Sequence, residues 1–240
     1  MKDMTQGNPV KEVLLFSVPM ILASVFQQMY NAVDSIIVGQ FVGANALAAV
    51  GAAFPAMFLA MSVLIGITMG VQIIISQLFG AGEHERMRAT FATSIISLMI
   101  LVVIASVIGY FASGTILELM NTPPEIIADS KAYLDEIFKG LIFMFLYNLY
   151  TSVLRGVGDS KTPLYFLIIS SILNIVLDLV YVIQFGMGVR GVAVATVQSQ
   201  AVSVILCIIY TNIRIPLFRL GLKDLRVDFG ILRTVLRFGI

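Results

Sequence analysis

The sequence predicts an all-α integral membrane protein with six spanning helices. Three observations carry this: the composition, the segregation of charge, and the length of the apolar runs. Of the 240 residues, 59% are hydrophobic and 12% charged, whereas a soluble domain carries about a quarter charged residues. No charged side chain occurs from Ser35 to Gly82, from Ala89 to Leu117, or from Gly191 to Ile213. A spanning helix needs roughly 20 apolar residues to cross about 30 Å of hydrocarbon. Each stretch is long enough, and the first, at 48 residues, holds more than one helix. The strands of a membrane barrel would alternate polar and apolar at period two, and these runs do not.

The predicted spans are Val13–Phe41, Ala52–Phe79, Phe91–Leu117, Leu134–Leu154, Leu164–Phe185 and Val192–Ile213. The first is too long for a signal-peptide core and no small-residue cleavage site follows it, so it is expected to be retained. Between the spans lie turn-like segments. Val42–Ala46 is short and neutral, Gly80–Arg88 is charged, and Asn121–Ser130 contains the helix-breaking Pro123 and Pro124. "RGVGDSKTP" (Arg155–Pro163) and "GMGVRG" (Gly186–Gly191) follow, then a basic segment, Arg214–Arg226. Pro55 reads as a first-turn proline of the second span, and Gly66 and Gly70 as a close-packing GxxxG pair.

Lysine and arginine fix the expected orientation. With the amino terminus in the cytoplasm of a cell bounded by the plasma membrane, the inside segments carry Lys2, Lys11, Arg86, Arg88, Arg155, Lys161, Arg214, Arg219, Lys223, Arg226, Arg233 and Arg237. The outside segments carry Lys131, Lys139 and Arg190. Twelve against three is the positive-inside bias. A net charge of +1 argues against a polyanionic partner, so no nucleic acid is expected, and the single Cys207 cannot form an internal disulfide.

"KEVLLFSV" (Lys11–Val18) and "RTVLRFGI" (Arg233–Ile240) share Val, Leu and Phe at one offset. Duplicated halves are a common transporter architecture. The expectation is an amino-terminal six-helix lobe over 1–228, with 229–240 opening a seventh helix of a second lobe absent from this chain.

Of fourteen acidic residues, Asp34 and Asp178 fall well inside spans. A carboxylate at that depth costs several kcal/mol, by scales that disagree, and marks ion or substrate paths. Gln27, Asn31 and Asp34 line one helix face at i, i+4, i+7, flanked by Tyr30. Asn174 and Asp178 share a face of the fifth span with Ser170 and Tyr181. Thr196, Gln200 and Ser203 form a stripe in the sixth, and the fourth adds Tyr147, Asn148 and Thr151. Two carboxylates brought together in low dielectric must share a proton or coordinate Na⁺, with Asn174 and Thr196 supplying neutral oxygens. Pro19 favours a bend in the first helix.

Other motifs carry no chemistry. Gly186, Gly188 and Gly191 spell G-x-G-x-x-G without a preceding strand, and position 211 is Thr where an acid is needed. "GDSKT" lacks the spacing of a phosphate-binding loop. His84 sits in a charged segment, and neither a metal cluster nor a Ser/His/Asp set is present, so no enzyme is predicted.

"VFQQMYNAVDSIIVGQFVGANALAAVGAA" (Val25–Ala53) resembles the opening helix of the MATE (multidrug and toxic compound extrusion) transporters. "QLFGAGEHERMR" (Gln77–Arg88) is similar to their second cytoplasmic connection. "LRGVGDSKTP" (Leu154–Pro163) and "NIVLDLVYVIQFGMGVRGVAVATVQSQ" (Asn174–Gln200) extend the resemblance over nearly the whole chain. It implies a two-lobed fold of six plus six helices and export of drugs or organic cations driven by inward Na⁺ or H⁺. No cofactor is implied beyond that coupling ion. The implied partners are the lipid bilayer, small amphipathic or cationic substrates, and the missing carboxy-terminal lobe. It maps a cation site onto Asp34, Asn174, Asp178 and Thr196, with a backbone carbonyl near Val192, and a bending proline onto Pro19. The rival reading is a lipid-linked oligosaccharide flippase or polysaccharide exporter. That would show a cavity rich in Arg and Lys, and the predicted spans are nearly free of both.

Overall fold

The computed structural model describes residues 9–221 and 227–239. Lys2, Lys223 and Arg226 of the charge count lie outside the described residues, as does the side chain of Lys11. Seven α-helices follow in order: α1 Pro9–Ile37, α2 Ala44–Gly80, α3 His84–Leu119, α4 Pro124–Gly156, α5 Lys161–Leu179, α6 Gly188–Arg214 and α7 Phe229–Gly239. The first six are long and apolar enough to cross a membrane, as the apolar runs predict. Their short connections alternate between two ends of the bundle. One end carries Gly43, residues 120–123 and residues 185–187; the other carries residues 81–83, 157–160 and 215–221.

The helices outrun the apolar runs, and this corrects several boundaries. α2 starts at Ala44, so Pro55 lies in the helix interior and not in its first turn. His84–Arg88 belong to α3, Gly188–Gly191 open α6, and Arg155 sits in the last turn of α4. The start of α4 at Pro124 draws Lys131 into the helix that also carries Asp135, Glu136 and Lys139. These charges are paired. Lys131 Nζ meets Asp135 Oδ2 at 2.6 Å, and Glu136 Oε1 takes Lys139 Nζ at 3.0 Å and Arg190 Nε of α6 at 2.9 Å. Ser113 of α3 also donates to Asp135 Oδ1 at 2.5 Å. At 33 residues and 1.5 Å each, α4 is about 50 Å long, enough to carry this cluster toward one end.

α4 is the central helix, packed on α2, α3 and α6. Leu134, Ile137, Leu141, Phe145, Leu149 and Leu154 are essentially fully buried along it. Lipid tails are as apolar as leucine, so close fit and interhelical hydrogen bonds hold such a bundle. Ser130 Oγ donates to Ala49 O of α2 at 3.0 Å, Ser106 Oγ of α3 to Phe138 O of α4, and Ser170 Oγ of α5 to Ser199 O of α6 at 3.2 Å. Gly140 of α4 lies so close under Val197 of α6 that a Cβ there would overlap the valine side chain. The Gly66/Gly70 pair packs closely as predicted, against the backbone of α7 at Val235 and Gly239.

α1 is peripheral. Its body packs on α5 through Ala23 and Phe26 against Leu164, Leu167 and Ile168. Pro19 is buried inside it and removes the bond that residue would give to the carbonyl of Leu15.

Candidate cation site

The site forms where α1 and α5 lose regular geometry. α1 continues into a π-helical turn, Val38–Val42, closed by Gly43 N–H donating to Val38 O at 3.0 Å. α5 continues into a second, Val180–Gln184, closed by Phe185 N–H donating to Val180 O at 3.1 Å. The two π turns touch each other. Asp34 lies four residues before the first and Asp178 two residues before the second. Single π turns interrupt helices frequently at functional sites, and this pair was not foreseen from the sequence.

The carboxyl groups of Asp34 and Asp178 lie within hydrogen-bonding reach of each other. Asp178 and Asn174 are both 0% exposed, while Asp34 is half-buried. With its amide nitrogen turned toward α1, Asn174 Nδ2 donates to Asp34 Oδ1 at 2.9 Å. Its Oδ1 then accepts from the Thr196 backbone N–H at 3.3 Å. The opposite orientation leaves only a 3.5 Å approach of Nδ2 to Thr196 Oγ1, so the first satisfies the amide better. Tyr30 donates its hydroxyl to Thr196 Oγ1 at 3.3 Å and also lies beside Asp34. Asp178 Oδ1 has no protein hydrogen-bond partner among the described residues. Val192, whose carbonyl the resemblance adds, is buried one turn before Thr196 on α6.

Asp34, Asn174, Asp178, Thr196 and Tyr30 therefore converge from three helices. The other polar residues singled out do not join them. Asn31 is exposed and donates to Gln28 Oε1 at 3.3 Å. Gln27 is half-buried about two turns from Asp34. Tyr147 donates to Pro163 O at 3.4 Å, and Pro163 stands 15 residues, or about 22 Å of helix, from Asp178. Asn148 donates to its own helix at Met144 O, 2.8 Å. Gln200 lies one turn beyond Thr196 with its buried Oε1 unpartnered. Shared helix faces brought these residues forward, but Asn31 turns to Gln28, Gln27 and Gln200 lie a turn or two along their own helices, and axial register between helices separates Tyr147 and Asn148 from the pair. The structure adds Tyr133 of α4, 7% exposed and within electrostatic range of both carboxylates. It falls in a stretch that reads as an outside connection, so burial gave no signal for it.

Two ionised carboxylates at this separation, screened from water, repel strongly. A shared proton or a hard cation held by the surrounding oxygens relieves that repulsion.

Comparisons with known proteins identify the family. A family model described as MatE matches residues 19–180. The "Probable multidrug resistance protein YoeA" of Bacillus subtilis is 38% identical over 237 residues, covering 96% of this chain and 51% of that protein. The "Multidrug export protein MepA" of Staphylococcus saprophyticus is 26% identical over 236 residues, covering 98% of this chain and 52% of its own length. A crystal structure described as a MATE in the bent conformation superposes with a TM-score of 0.88 at 29% identity, covering 97% of this chain and 52% of that one. The chain spans about half the length of these relatives, so its six spanning helices correspond to one lobe of a two-lobed fold. It is a multi-pass membrane protein, and it belongs to the MATE family of transporters.

Proposed function

We propose that this chain forms the cation-coupling lobe of a secondary antiporter that exports drugs or organic cations across the plasma membrane. The amino terminus lies in the cytoplasm, and inward movement of Na⁺ or H⁺ through the acid site drives export. The observation that carries this reading is the contact between Asp34 and Asp178 inside a protein-lined site. Cation arrival neutralises the pair, and cation loss restores its repulsion. Because Asp34 stands on peripheral α1 and Asp178 on α5, the change in charge alters how firmly α1 is held. A ligand shifts a conformational equilibrium by as much as its affinities for the two states differ. Alternating access with a second six-helix lobe follows, and the export cavity lies between the lobes.

The names of YoeA and MepA, and the bent form of the solved relative, support this reading. The test is efflux of a cationic dye from vesicles carrying the full-length transporter, with Na⁺ and pH gradients imposed separately. Asp34→Asn and Asp178→Asn are expected to abolish gradient-driven efflux at normal membrane abundance. Wild-type rates in both variants would overturn the site.

A further inference from the structure

α7 has two faces of opposite character. Val235 is 0% exposed against α2, where Gly66 and Gly70 let the two backbones meet. Arg233 and Arg237 stand two residues either side of Val235, which turns each about 160° around the helix from it. Both are exposed, and neither has an ion-pair or hydrogen-bond partner among the described residues. Phe229, one turn before Arg233 on the same face, is 79% exposed.

α7 runs antiparallel to α2. Its start at Asp228 and Gly230 lies beside Ile74 and Leu78, and Gly239 lies against Gly66. Val235 meets Gly70, ten residues or about 15 Å from the end of α2 at Gly80. Arg233 and Arg237 therefore lie about 12 and 18 Å from that end, beside a part of α2 that carries no charge. An arginine at such a depth is costly unless it finds a counter-charge or reaches the interface. Side chains on a helix lean toward its amino terminus. The amino terminus of α7 lies at the interface end, so both arginines lean back toward it and their long stems carry the charge outward.

The same end offers room. Gly230, seven residues before Arg237 and so on its face, also lines a cavity of about 260 Å³ between α2, α3 and α7. Arg86, Thr90, Asp228 and Thr234 complete its polar wall. Arg86 is paired with Glu83 at 2.7 Å. Asp228 Oδ1 caps α7, accepting from the N–H groups of Gly230 at 2.8 Å and Ile231 at 3.1 Å. Asp228 Oδ2 has no partner among the described residues.

We propose that the arginine face of α7 and this cavity bind the headgroup of an anionic phospholipid of the phosphoglycerol class. With the orientation proposed above, it comes from the cytoplasmic leaflet. The phosphate meets Arg233 and Arg237, whose N–H forks suit phosphate oxygens. The glycerol enters the cavity, where a hydroxyl donates to Asp228 Oδ2. The acyl chains follow Ile65 and Met69, 51% and 57% exposed, each one residue from a glycine of the α7 seat. Charge complementarity selects this occupant, because lipid phosphates stand at the interface toward which both arginines lean. Bound lipid holds α7 against α2. Lipid binding is independent of the coupling role of the acid pair, so the two readings fail separately.

The purified full-length transporter is equilibrated with micelles holding equal phosphatidylglycerol and phosphatidylcholine, and native mass spectrometry counts the lipid retained. The wild type is expected to retain phosphatidylglycerol about tenfold over phosphatidylcholine. Arg233→Gln/Arg237→Gln is expected to hold the two about equally, and Arg233→Lys/Arg237→Lys, which keeps both charges, to keep the preference. Arg214→Gln removes an exposed cation from α6 at the same end and is expected to change nothing. Equal retention of the two lipids by the wild type overturns the site without recourse to any variant. An undiminished preference in the glutamine double variant, or an equal loss in Arg214→Gln, also overturns it. Phosphatidylethanolamine retained as well as phosphatidylglycerol overturns the anionic occupant.

Discussion

Tyr30 of α1 donates its hydroxyl to Thr196 Oγ1 of α6 at 3.3 Å, beside the two carboxylates. The bond ties the peripheral helix to the body of the bundle, which α1 otherwise meets mainly through α5. Tyr30→Phe keeps the ring and its burial but removes this donor. A buried hydrogen bond contributes about 1 kcal/mol, so half-saturation by the coupling cation should rise about fivefold. Cation-dependent efflux at graded Na⁺ or H⁺ concentrations measures it. Unchanged half-saturation would assign the hydroxyl a structural role only.

Pro19 lies inside α1, fifteen residues from Asp34, where its ring breaks the backbone ladder. Pro19→Ala restores a continuous helix. The expected result is slower efflux with cation affinity retained, because the acid site is not touched. Efflux rate and equilibrium cation binding on the same preparation separate the two effects.

Gly140 sits where a side chain would overlap Val197 between α4 and α6. Gly140→Val should lower the stability of the purified protein by about 1–3 kcal/mol, the usual cost of overpacking. Thermal unfolding in detergent reads this as a lower midpoint. Gly80→Val, at a position with open space around it, should move the midpoint far less.

The proposed orientation puts the α2–α3 connection in the cytoplasm and the α3–α4 connection outside. Glu85 and Glu125 are both exposed, one near each end. A cysteine replacing Glu85 should react with an impermeant thiol reagent only in inverted vesicles, and one replacing Glu125 only in right-side-out cells. The reverse pattern would invert the direction of export.

Charge-free stretches revealed the six spans because hydrocarbon admits little else. They misplaced helix ends wherever charges satisfy one another. Lys131, Asp135, Glu136 and Lys139 sit inside α4 because they pair locally and with Arg190. A residue-by-residue reading counts Lys131 and Lys139 as outside charges. The same blindness hid Tyr133 in what reads as a connection. Asp34, Asp178 and Asn174 were legible because burying a carboxylate needs a reason and each shares a helix face with polar neighbours, whereas Thr196 entered the set through the family resemblance. Tyr147 and Asn148 show the limit of that logic. A stripe fixes the face, but axial register between helices decides which stripes meet. The π turns after Asp34 and Asp178 leave no trace in hydropathy, since a five-residue hydrogen-bonded step uses the same apolar residues as a four-residue one.

The acid pair's capacity for a cation is the claim on which the proposed function stands. Equilibrium binding of radioactive Na⁺, together with acid titration of the purified full-length transporter, counts it directly. The Asp34→Asn/Asp178→Asn double variant should hold at least one cation fewer per molecule than wild type, Na⁺ and H⁺ counted together at pH 7, where an ordinary carboxyl carries no proton. Equal uptake by the two proteins would contradict it.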